Sequence, residues 1–417
     1  MGSRRDGAPD ARPRRRGAGA VCVALAAWLG AAGGAAGGCA ARREVDRDVR
    51  ESPRSAPSTS ARGNPFAGAK MYVNADYTRA VERSTPPSPA DGARYKAVAG
   101  TPVAVWIDSI AKASAIARHL DAATAEEAAG GPPVVVTFVV YDLPNRDCAA
   151  RSSAGELSVD RDGEARYRTE VIDRVASELR RHPSLRIVVI VEPDSLANLA
   201  TNLAVARCAA SEGVYRRSVA YAVRALAMPH VSVYLDAAHA GWLGWDGNRA
   251  KIARIYRDVL AEAGGARSIR GFATNISNYN VLRGDDGRRL EPSDPCPDEL
   301  TYVQKLAQSL AEVGITDKGF LIDTSRNGRP GIRSRWGSWC NVKGAGLGAR
   351  PQAAPAPLVD AFCWVKPPGE SDGTSDPSAA RYDATCASPD SAPRAPEAGT
   401  WFESYFADLV ANADPPL

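Results

Sequence analysis

Several predicted strands end on side chains that could carry acid–base chemistry. Runs of aliphatic and β-branched residues, such as VVVTFVVY (134–141) and VSVYLD (231–236), lead directly into polar or ionisable groups. These groups are Asp142, Glu192 with Asp194, Asp236, Asn275, Asp323 and Lys366. A single Asp after a strand is usually the N-cap of the next helix. Six such ends indicate a shared cleft, because the strands of a βα barrel gather their carboxyl ends on one face.

Tryptophans in predicted loops complete this pattern. The segments HAGWLGW (239–245) and RWGSWC (335–340) place indole rings beside glycines. Exposed indole faces suit stacking on the apolar faces of sugar rings. We predict this role for Trp106, Trp242, Trp245 and Trp339, and core packing for Trp364 inside a strand. Acid groups combined with aromatic platforms indicate cleavage of a glycosidic bond by two carboxyl groups.

Composition excludes two other classes of function. The chain has four histidines and neither an HExxH nor a CxxC motif, so we expect no metal site and no cofactor. The net charge is +4, but residues 1–63 hold 12 Arg against six Asp and Glu, which leaves −2 for the rest. Nucleic acid is therefore not an expected partner, because phosphate binding requires clustered Lys and Arg.

Alternating strand and helix patterns would position these residues. The predicted helices cover 167–181 and 251–263, where apolar residues recur at spacings of three and four. The predicted strands cover 134–141, 186–192, 231–236, 270–275, 319–323 and 359–366. Their continuous hydrophobicity is typical of parallel strands that are buried on both faces. The sequence therefore predicts an α/β fold, a parallel βα barrel that forms a single catalytic domain over residues 64–417.

The N-terminal residues have the composition of a targeting segment. An Arg-rich start precedes an apolar run of small residues that ends near Cys39, so residues 1–39 are predicted to be a secretory signal peptide. The high Gly content makes a transmembrane anchor the weaker alternative. Gly38 before Cys39 also resembles a bacterial lipoprotein cleavage site, which would attach lipid at Cys39. Residues 40–63 are polar and contain Pro and Ser, which predicts a disordered spacer.

Six segments of the chain resemble conserved motifs of glycoside hydrolase family 6, the family of cellobiohydrolase II and related endoglucanases. The segments are YDLPNRDCAA (141–150), VEPDSLANLATNL (191–203), YLDAAHAGWLGW (234–245), ATNISNYN (273–280), RWGSWCNVKGAGLGARP (335–351) and WVKPPGESDGTSD (364–376). The resemblance covers residues 64–417 and implies a distorted, partly open, TIM-like βα barrel. It also implies hydrolysis of the β-1,4-glucosidic bonds of cellulose with inversion at the anomeric carbon.

The resemblance implies catalytic roles for particular residues. Asp194 matches the general acid, and Asp147 matches the carboxylate whose like charge raises the pKa of that acid. Ser195 is the expected N-cap of the helix that follows Asp194. Asp372 matches the proposed base, although the attacking water could instead pass its proton along a chain of Ser153 and Asp147.

Further matches describe a sugar-binding cleft. Tyr141 matches the tyrosine beneath the distorted ring, and Glu370 and Lys366 match residues that hold the sugar before the scissile bond. The four tryptophans predicted to stack fall on sugar-binding positions of the family. Polar contacts to the substrate are expected from Arg146, Asp236, His239 and Asn278.

The cysteines are consistent with an oxidising location outside the cytoplasm. The resemblance implies the disulfides Cys148–Cys208 and Cys340–Cys386. Cys296 and Cys363 lie outside that pattern, and the sequence leaves open whether they pair with each other or stay free.

Several alternatives are open at the level of the sequence. The long Pro- and Ser-rich segment between Lys366 and Trp401 favours a roofed cleft and release of cellobiose, whereas GES (369–371) in place of GEC favours an endoglucanase. Another β-glucan, such as mixed-linkage glucan or xyloglucan, could be the substrate. A catalytically silent glucan-binding envelope lipoprotein is the rival from another class, disfavoured by the three intact aspartates. We expect a monomer.

Overall fold

One sheet of nine strands is present among residues 63–284, 291 and 293–417, which are the residues described by the computed structural model. Its strands are β1 (Lys70–Met71), β2 (Val105–Ile107), β3 (Val134–Val140), β4 (Arg186–Val191), β5 (Val231–Asp236), β6 (Gly271–Thr274), β7 (Gly319–Asp323), β8 (Gln352–Ala356) and β9 (Val359–Cys363). Their order is β1-β3-β4-β5-β6-β7-β9-β8, and β2 also pairs with β3. Every pair is parallel except the antiparallel pair of β8 and β9.

All six predicted strands are confirmed, with small differences at their ends. Three strands were not predicted. β1 and β2 have only two and three residues, and β8 has no buried residue and contains Pro355, so none of them forms a long run of buried apolar residues.

The sheet curls into a barrel that stays partly open between β2 and β9. The link across this gap is a single bridge between Val103 and Trp364, in which the Ala104 N–H donates to the Trp364 carbonyl at 3.0 Å. The indole of Trp106 adds a hydrogen bond to the carbonyl of Val365 at 2.8 Å. The prediction of a distorted, partly open βα barrel is therefore confirmed.

Both faces of the sheet are buried, which explains the continuous hydrophobicity of the strands. In β3, Val134, Val136 and Phe138 belong to the large core under the helices. Val135 and Val139 point the other way, into the barrel interior. Side chains alternate between the faces of a strand, so both sets must be apolar when neither face meets water.

Twelve α-helices are present among the described residues and cover the outside of the sheet. They are α1 (Ala75–Arg83), α2 (Asp91–Ala99), α3 (Ile110–Ala115), α4 (Ala117–Ala128), α5 (Gly163–Arg166), α6 (Asp173–Arg180), α7 (Ser195–Thr201), α8 (Ala206–Leu226), α9 (Ala240–Leu243), α10 (Asp246–Glu262), α11 (Glu299–Glu312) and α12 (Glu403–Ala411).

The two predicted helices are present with changed limits. A π-helical segment (Tyr167–Ile172) joins α5 to α6, and together with α6 it covers the helix predicted over 167–181. The helix predicted over 251–263 is α10, which begins five residues earlier. The prediction missed these residues because the first turn of the helix is polar and shows no apolar periodicity.

Two disulfides anchor the loops at the carboxyl ends of the strands. Cys148 is bonded to Cys208 and Cys340 to Cys386, which confirms both pairings. Cys296 and Cys363 are free and buried. None of the helices described in the structure is long and apolar enough to cross a membrane. The predicted signal peptide, Cys39 and residues 40–62 of the spacer lie outside the described residues.

Replacing Cys148 and Cys208 together by alanine should lower the free energy of unfolding by about 4 kcal/mol, because the bond closes a long loop in the unfolded chain. Denaturant unfolding measures this change. Cys363→Ala, which removes a buried but unbonded thiol, is the control and should cost about 1 kcal/mol. Equal losses in the two variants would show that the Cys148–Cys208 bond contributes nothing beyond packing.

Candidate active site

A cavity of about 560 Å³ lies at the carboxyl ends of the strands. Twelve of the predicted catalytic and substrate-binding residues line it. They are Trp106, Tyr141, Asp147, Ser153, Asp194, His239, Trp242, Asn278, Trp339, Lys366, Glu370 and Asp372. Arg146 also contributes to the wall. The structure therefore brings together side chains that are separated by more than 200 residues in the sequence.

Two predicted residues do not line the cavity. Asp236 is 4% exposed and lies beneath it, because it is the last residue of β5 and is still part of the sheet. Trp245 lies outside the cavity, with its ring edge-on to that of Trp336 at 5.7 Å between centroids.

Trp336 lines the cavity with half of its surface exposed, although it was not among the predicted stacking residues. The signal for Trp336 was its position in RWGSWC, beside Gly337.

Most of the polar strand ends support loops rather than forming the cavity surface. Asp142, Glu192, Asp236, Asn275 and Asp323 are buried and absent from the cavity wall, which corrects the expectation of a shared row of exposed groups. The Asp142 carboxylate accepts from the Arg146 guanidinium, and the side-chain oxygens of the other four accept hydrogen bonds from backbone N–H groups. The Asp323 carboxylate, for example, accepts from the N–H groups of Ser277, Ser325, Val365 and Lys366. Buried N–H groups beyond the end of a strand need such acceptors.

Asp194 occupies the N-cap position of α7 with a positive φ of 65°, and its side chain caps nothing. The prediction of Ser195 as the cap was wrong: Ser195 is the first residue of the helix, and its hydroxyl donates to the carbonyl of Glu192 at 2.6 Å. The left-handed backbone turns the carboxyl group of Asp194 away from the helix. That carboxyl group therefore faces the cavity.

Burial and two neighbouring carboxyl groups raise the pKa of Asp194 well above its usual range. Burial is the largest cause, followed by the charges of Asp236 and Asp147. Burial also raises the pKa of Asp236 to about 7 and that of Asp147 to about 6. The Ser153 hydroxyl and the Arg146 guanidinium oppose the increase at Asp147. Asp194 is thus the carboxyl group best able to keep a proton near neutral pH.

Tyr141 lies between the carboxyl groups and Trp106. Its ring is edge-on to Trp106 at 5.5 Å between centroids, and the guanidinium of Arg146 covers it at 4.6 Å. Arg146 is held by the carbonyl oxygens of Ser153 and Asp108 at 2.6 and 2.7 Å. Burial raises the pKa of Tyr141, so its phenol is neutral and can donate a hydrogen bond.

Asp372 has a different environment, because a buried guanidinium compensates its charge. Arg326 is fully buried, and its Nη1 lies 2.9 and 2.8 Å from the two carboxylate oxygens. Oδ2 also accepts hydrogen bonds from Tyr279 Oη at 2.9 Å and from the Asn341 N–H at 2.8 Å. Oδ1 has the fewer contacts, with Lys366 Nζ at 3.9 Å. The Asp372 carboxylate is thus held in a buried ion pair and by two further hydrogen-bond donors.

Lys366 and Glu370 flank the Trp106 end of the cavity. Lys366 Nζ lies 5.8 Å from the Trp106 ring centroid and donates to the Ser371 carbonyl at 3.3 Å. Burial raises the pKa of Glu370, and Lys366 opposes this increase.

His239 and Trp242 form the other wall. His239 contacts the side-chain amides of Asn278 and Asn280 at 3.0 and 2.8 Å. Burial, with a smaller contribution from Arg333, lowers the pKa of His239 to about 3, so the ring is neutral. The indole of Trp242 donates to Thr201 Oγ1 at 2.8 Å.

Two loop segments meet above the cavity and form what we call the roof: residues 147–158 and residues 372–400. The Arg151 N–H donates to Asp383 Oδ2 at 3.2 Å. A Cβ atom on Gly373 would lie 2.5 Å from that of Ser152, so only glycine fits at this approach. Each segment carries one cysteine of a disulfide. No group of three or more metal-binding side chains occurs within the described part of the chain.

Comparison with known proteins identifies the family. The model for the glycosyl hydrolases family 6 matches residues 66–413. The chain belongs to glycosyl hydrolase family 6. A curated relative, the probable 1,4-β-D-glucan cellobiohydrolase C of Neosartorya fischeri, is 45% identical over 85% of this chain and 79% of its own length. Exoglucanase 3 of Agaricus bisporus is 41% identical over 86% of this chain and 81% of its own.

Solved structures of family 6 enzymes share the fold. Cellobiohydrolase II of Humicola insolens, in complex with glucose and cellotetraose, superimposes with a TM-score of 0.83 at 39% identity. The match covers 85% of this chain and all of that one. The predicted resemblance to a family of inverting glycoside hydrolases is therefore confirmed.

Replacing Asp236 by asparagine should lower the pKa of Asp194. Both hydrogen bonds from loop N–H groups go to Oδ2, so an amide oxygen can keep them while the negative charge is lost. The pKa of Asp236 is about 7, so the Asp236 carboxyl group is already charged at the higher pH where Asp194 loses its proton. Difference infrared spectroscopy of the carboxyl band, with Asp194→Asn to assign it, measures the change. Asp258→Asn, at an exposed site on α10, is the control. An unmoved titration would show that Asp236 does not act on Asp194.

Proposed function

We propose that this family 6 enzyme is an inverting cellobiohydrolase that cleaves β-1,4-glucosidic bonds of cellulose and releases cellobiose. One observation carries the proposal: a protonated Asp194 and a charge-compensated Asp372 line the same roofed cavity. Inverting hydrolysis requires this pairing of an acid with a group acting on the opposite face of the sugar. The names of the curated relatives, cellobiohydrolase C and exoglucanase, support the same substrate and mode of action.

Asp194 is the proposed general acid. Its raised pKa keeps the proton available near neutral pH, and its proton passes to the glycosidic oxygen as the bond to the anomeric carbon breaks. Asp147 and Asp236 assist by their charge and do not themselves transfer this proton. A water molecule attacks the anomeric carbon from the other face and gives up its own proton to a base.

For the base, the contacts favour the chain of Ser153 and Asp147 over Asp372 itself. The Asp372 oxygens already accept from a guanidinium, a phenol and a backbone N–H, which leaves few of their lone pairs open to a proton from water. Asp147 has a pKa of about 6, which is near the value that an efficient base needs, and the Ser153 hydroxyl is hydrogen-bonded to it. We infer that Asp372 stabilises positive charge at the anomeric carbon while Asp147 receives the proton.

The remaining wall residues bind the glucan on the two sides of Asp194. Trp106, Tyr141, Lys366 and Glu370 form one side, which we assign to the sugars retained as cellobiose. His239, Trp242, Asn278 and Trp339 form the other side and would hold the leaving glucan. Trp245 and Trp336 would continue the aromatic surface outward.

The joined roof favours exo action over endo action. An endoglucanase must admit a chain from the side, whereas here the two roof segments, which both line the cavity, are joined by the contact between Arg151 and Asp383. Endo-β-1,4-glucanase action, mixed-linkage glucan and xyloglucan are the alternatives that product analysis would reveal. A catalytically silent glucan-binding lipoprotein is disfavoured because Asp147, Asp194 and Asp372 are all present at the cavity.

We also propose that the enzyme is secreted as a monomer after cleavage of residues 1–39. The composition of these residues supports this proposal. Attachment of lipid at Cys39 is the alternative prediction, which requires cleavage before Cys39, and labelling with a radioactive fatty acid tests it.

Asp194→Ala should reduce kcat on cellulose by about 10²- to 10⁴-fold, because the leaving glucan loses its proton donor. Binding of cello-oligosaccharides, measured by calorimetry, should persist. The assay is the rate of sugar release from amorphous cellulose, and Asp258→Ala, at an exposed site on α10, is the matched control. Retained turnover would mean that another group is the acid.

Asp383→Ala should loosen the roof and move the products toward endo action. The variant loses the contact to the Arg151 N–H and the hydrogen bond to the Thr385 N–H. Wild-type enzyme should release mainly cellobiose from the earliest times, and the variant should add longer oligosaccharides. Asp376→Ala is the control, since Asp376 lies in the same segment and bonds only within it. Identical product patterns would contradict a role for this contact in closing the roof.

A further inference from the structure

The loop from β5 to the end of α9, residues 237–244, carries one wall of the cavity, and we call it the platform loop. Its His239 and Trp242 both line the cavity, with 6.0 Å between ring centroids. In the sheet, β4 lies between β3 and β5, so Asp194 after β4 separates this loop from Tyr141 after β3. The platform loop thus belongs to the side assigned to the leaving glucan.

The backbone of the platform loop cannot satisfy its own hydrogen bonds. Ala238 has a positive φ of 48°, and α9 has only four residues. The first N–H groups of a helix have no partner within it, and the side chain of His239 provides no cap. Hydrogen-bond partners from another part of the chain must therefore hold this segment in place.

Three side chains at the start of α11 provide these contacts. The hydroxyl of Tyr302 donates to the Ala237 carbonyl at 2.7 Å, and Glu299 Oε1 accepts from the Ala240 N–H at 2.8 Å. Cys296 Sγ lies 3.2 Å from the Gly244 carbonyl and donates to it. The three residues are spaced by three positions, which places Glu299 and Tyr302 on one face of the helix. Together they hold the beginning, middle and end of the loop.

Glu299 is not needed to start its own helix. Asp298 is the N-cap of α11, with Oδ1 accepting from the Thr301 N–H at 2.7 Å. The Glu299 side chain is fully buried and turns toward the platform loop instead. A carboxyl group is costly to bury, so its retention in the core requires a compensating contact.

The protonation state of Glu299 fits this contact. Burial raises its pKa to about 8, which favours the neutral acid at pH 5 to 7, and Oε1 accepts from the Ala240 N–H. The side chains of Thr274 and Asn280 adjoin it. Asn280 in turn contacts His239 Nδ1 at 2.8 Å. Glu299 is thus connected to His239 in two ways: it accepts from the N–H of Ala240, the next residue in the chain, and it adjoins Asn280, which contacts the His239 ring.

We propose that Glu299 is a positioning residue that fixes His239 and Trp242 for binding of the leaving glucan, with Tyr302 and Cys296 securing the two ends of the platform loop. The inference rests on the proposed function and adds a determinant of affinity on one side of the scissile bond. Because the contact to the Ala240 N–H needs only a side-chain oxygen that accepts, glutamine should replace Glu299 and alanine should not.

The test compares two substrates that differ on the leaving-group side. Cellohexaose places glucose units against the platform loop, whereas 2,4-dinitrophenyl β-cellobioside places only an activated aryl group there. For Glu299→Ala we expect the KM for cellohexaose to rise about tenfold with kcat changed less than about threefold. The KM for the aryl cellobioside should stay within about twofold of wild type. Glu299→Gln should restore the wild-type KM for cellohexaose.

Controls separate this inference from a general loss of structure and from the proposed function. Glu312→Ala, at an exposed position of the same helix, should change neither KM. Tyr302→Phe serves as the second variant if Glu299→Ala does not fold. It keeps the buried ring and removes only the hydrogen bond to the Ala237 carbonyl, so the KM for cellohexaose should rise about threefold while the KM for the aryl cellobioside does not change. Equal losses on both substrates, or a Gln variant as impaired as the Ala variant, would overturn the inference. Wild-type enzyme inactive on both substrates would instead overturn the proposed function.

Discussion

Oδ2 of Asp236 accepts hydrogen bonds from the N–H groups of Asp194 and Ala238 at 2.9 and 3.1 Å, and the site depends on this buried carboxyl group. Both donors have positive φ, a conformation that costs about 1–2 kcal/mol at each non-glycine residue. Hydrogen bonds to a charged group contribute about 1.5–3 kcal/mol each, which is enough to offset that strain. The same contact places Asp194 at the cavity and starts the platform loop. The charge of Asp236 also raises the pKa of Asp194.

The two key carboxyl groups of the cavity differ because their neighbours differ in charge. Asp194 is surrounded by carboxyl groups and low-dielectric core, which favour its neutral form. Asp372 is bound by Arg326, and the ring of Tyr279 lies under that guanidinium at 4.4 Å. One carboxyl group surrounded by acids and another paired with a guanidinium can take different roles in catalysis. The barrel supplies both environments at one end because its strands are parallel.

The sequence predicted most strands and most residues of the cavity. It did not predict which side chains face the cavity and which ones hold loops in place. Continuous apolar runs identified six strands, whereas β1, β2 and β8 are too short or too exposed to leave such a signal. A polar residue after a strand does not reveal whether its side chain faces the cavity, as Asp194 does, or supports a loop, as Asp236 and Asp323 do. That choice depends on backbone torsion and on distant N–H groups. Glu299 was missed because it reads as an ordinary first-turn acid of an amphipathic helix.

The anomeric form of the first product tests the central claim that an acid and a separate water-activating system act on opposite faces of the sugar. Proton NMR of cellohexaose hydrolysis, recorded before mutarotation equilibrates the anomers, distinguishes the two outcomes. The account predicts that α-cellobiose appears first, because a single displacement inverts the β-linkage. Initial release of β-cellobiose would contradict it, since retention requires a covalent intermediate for which the ion-paired Asp372 would have to act as nucleophile.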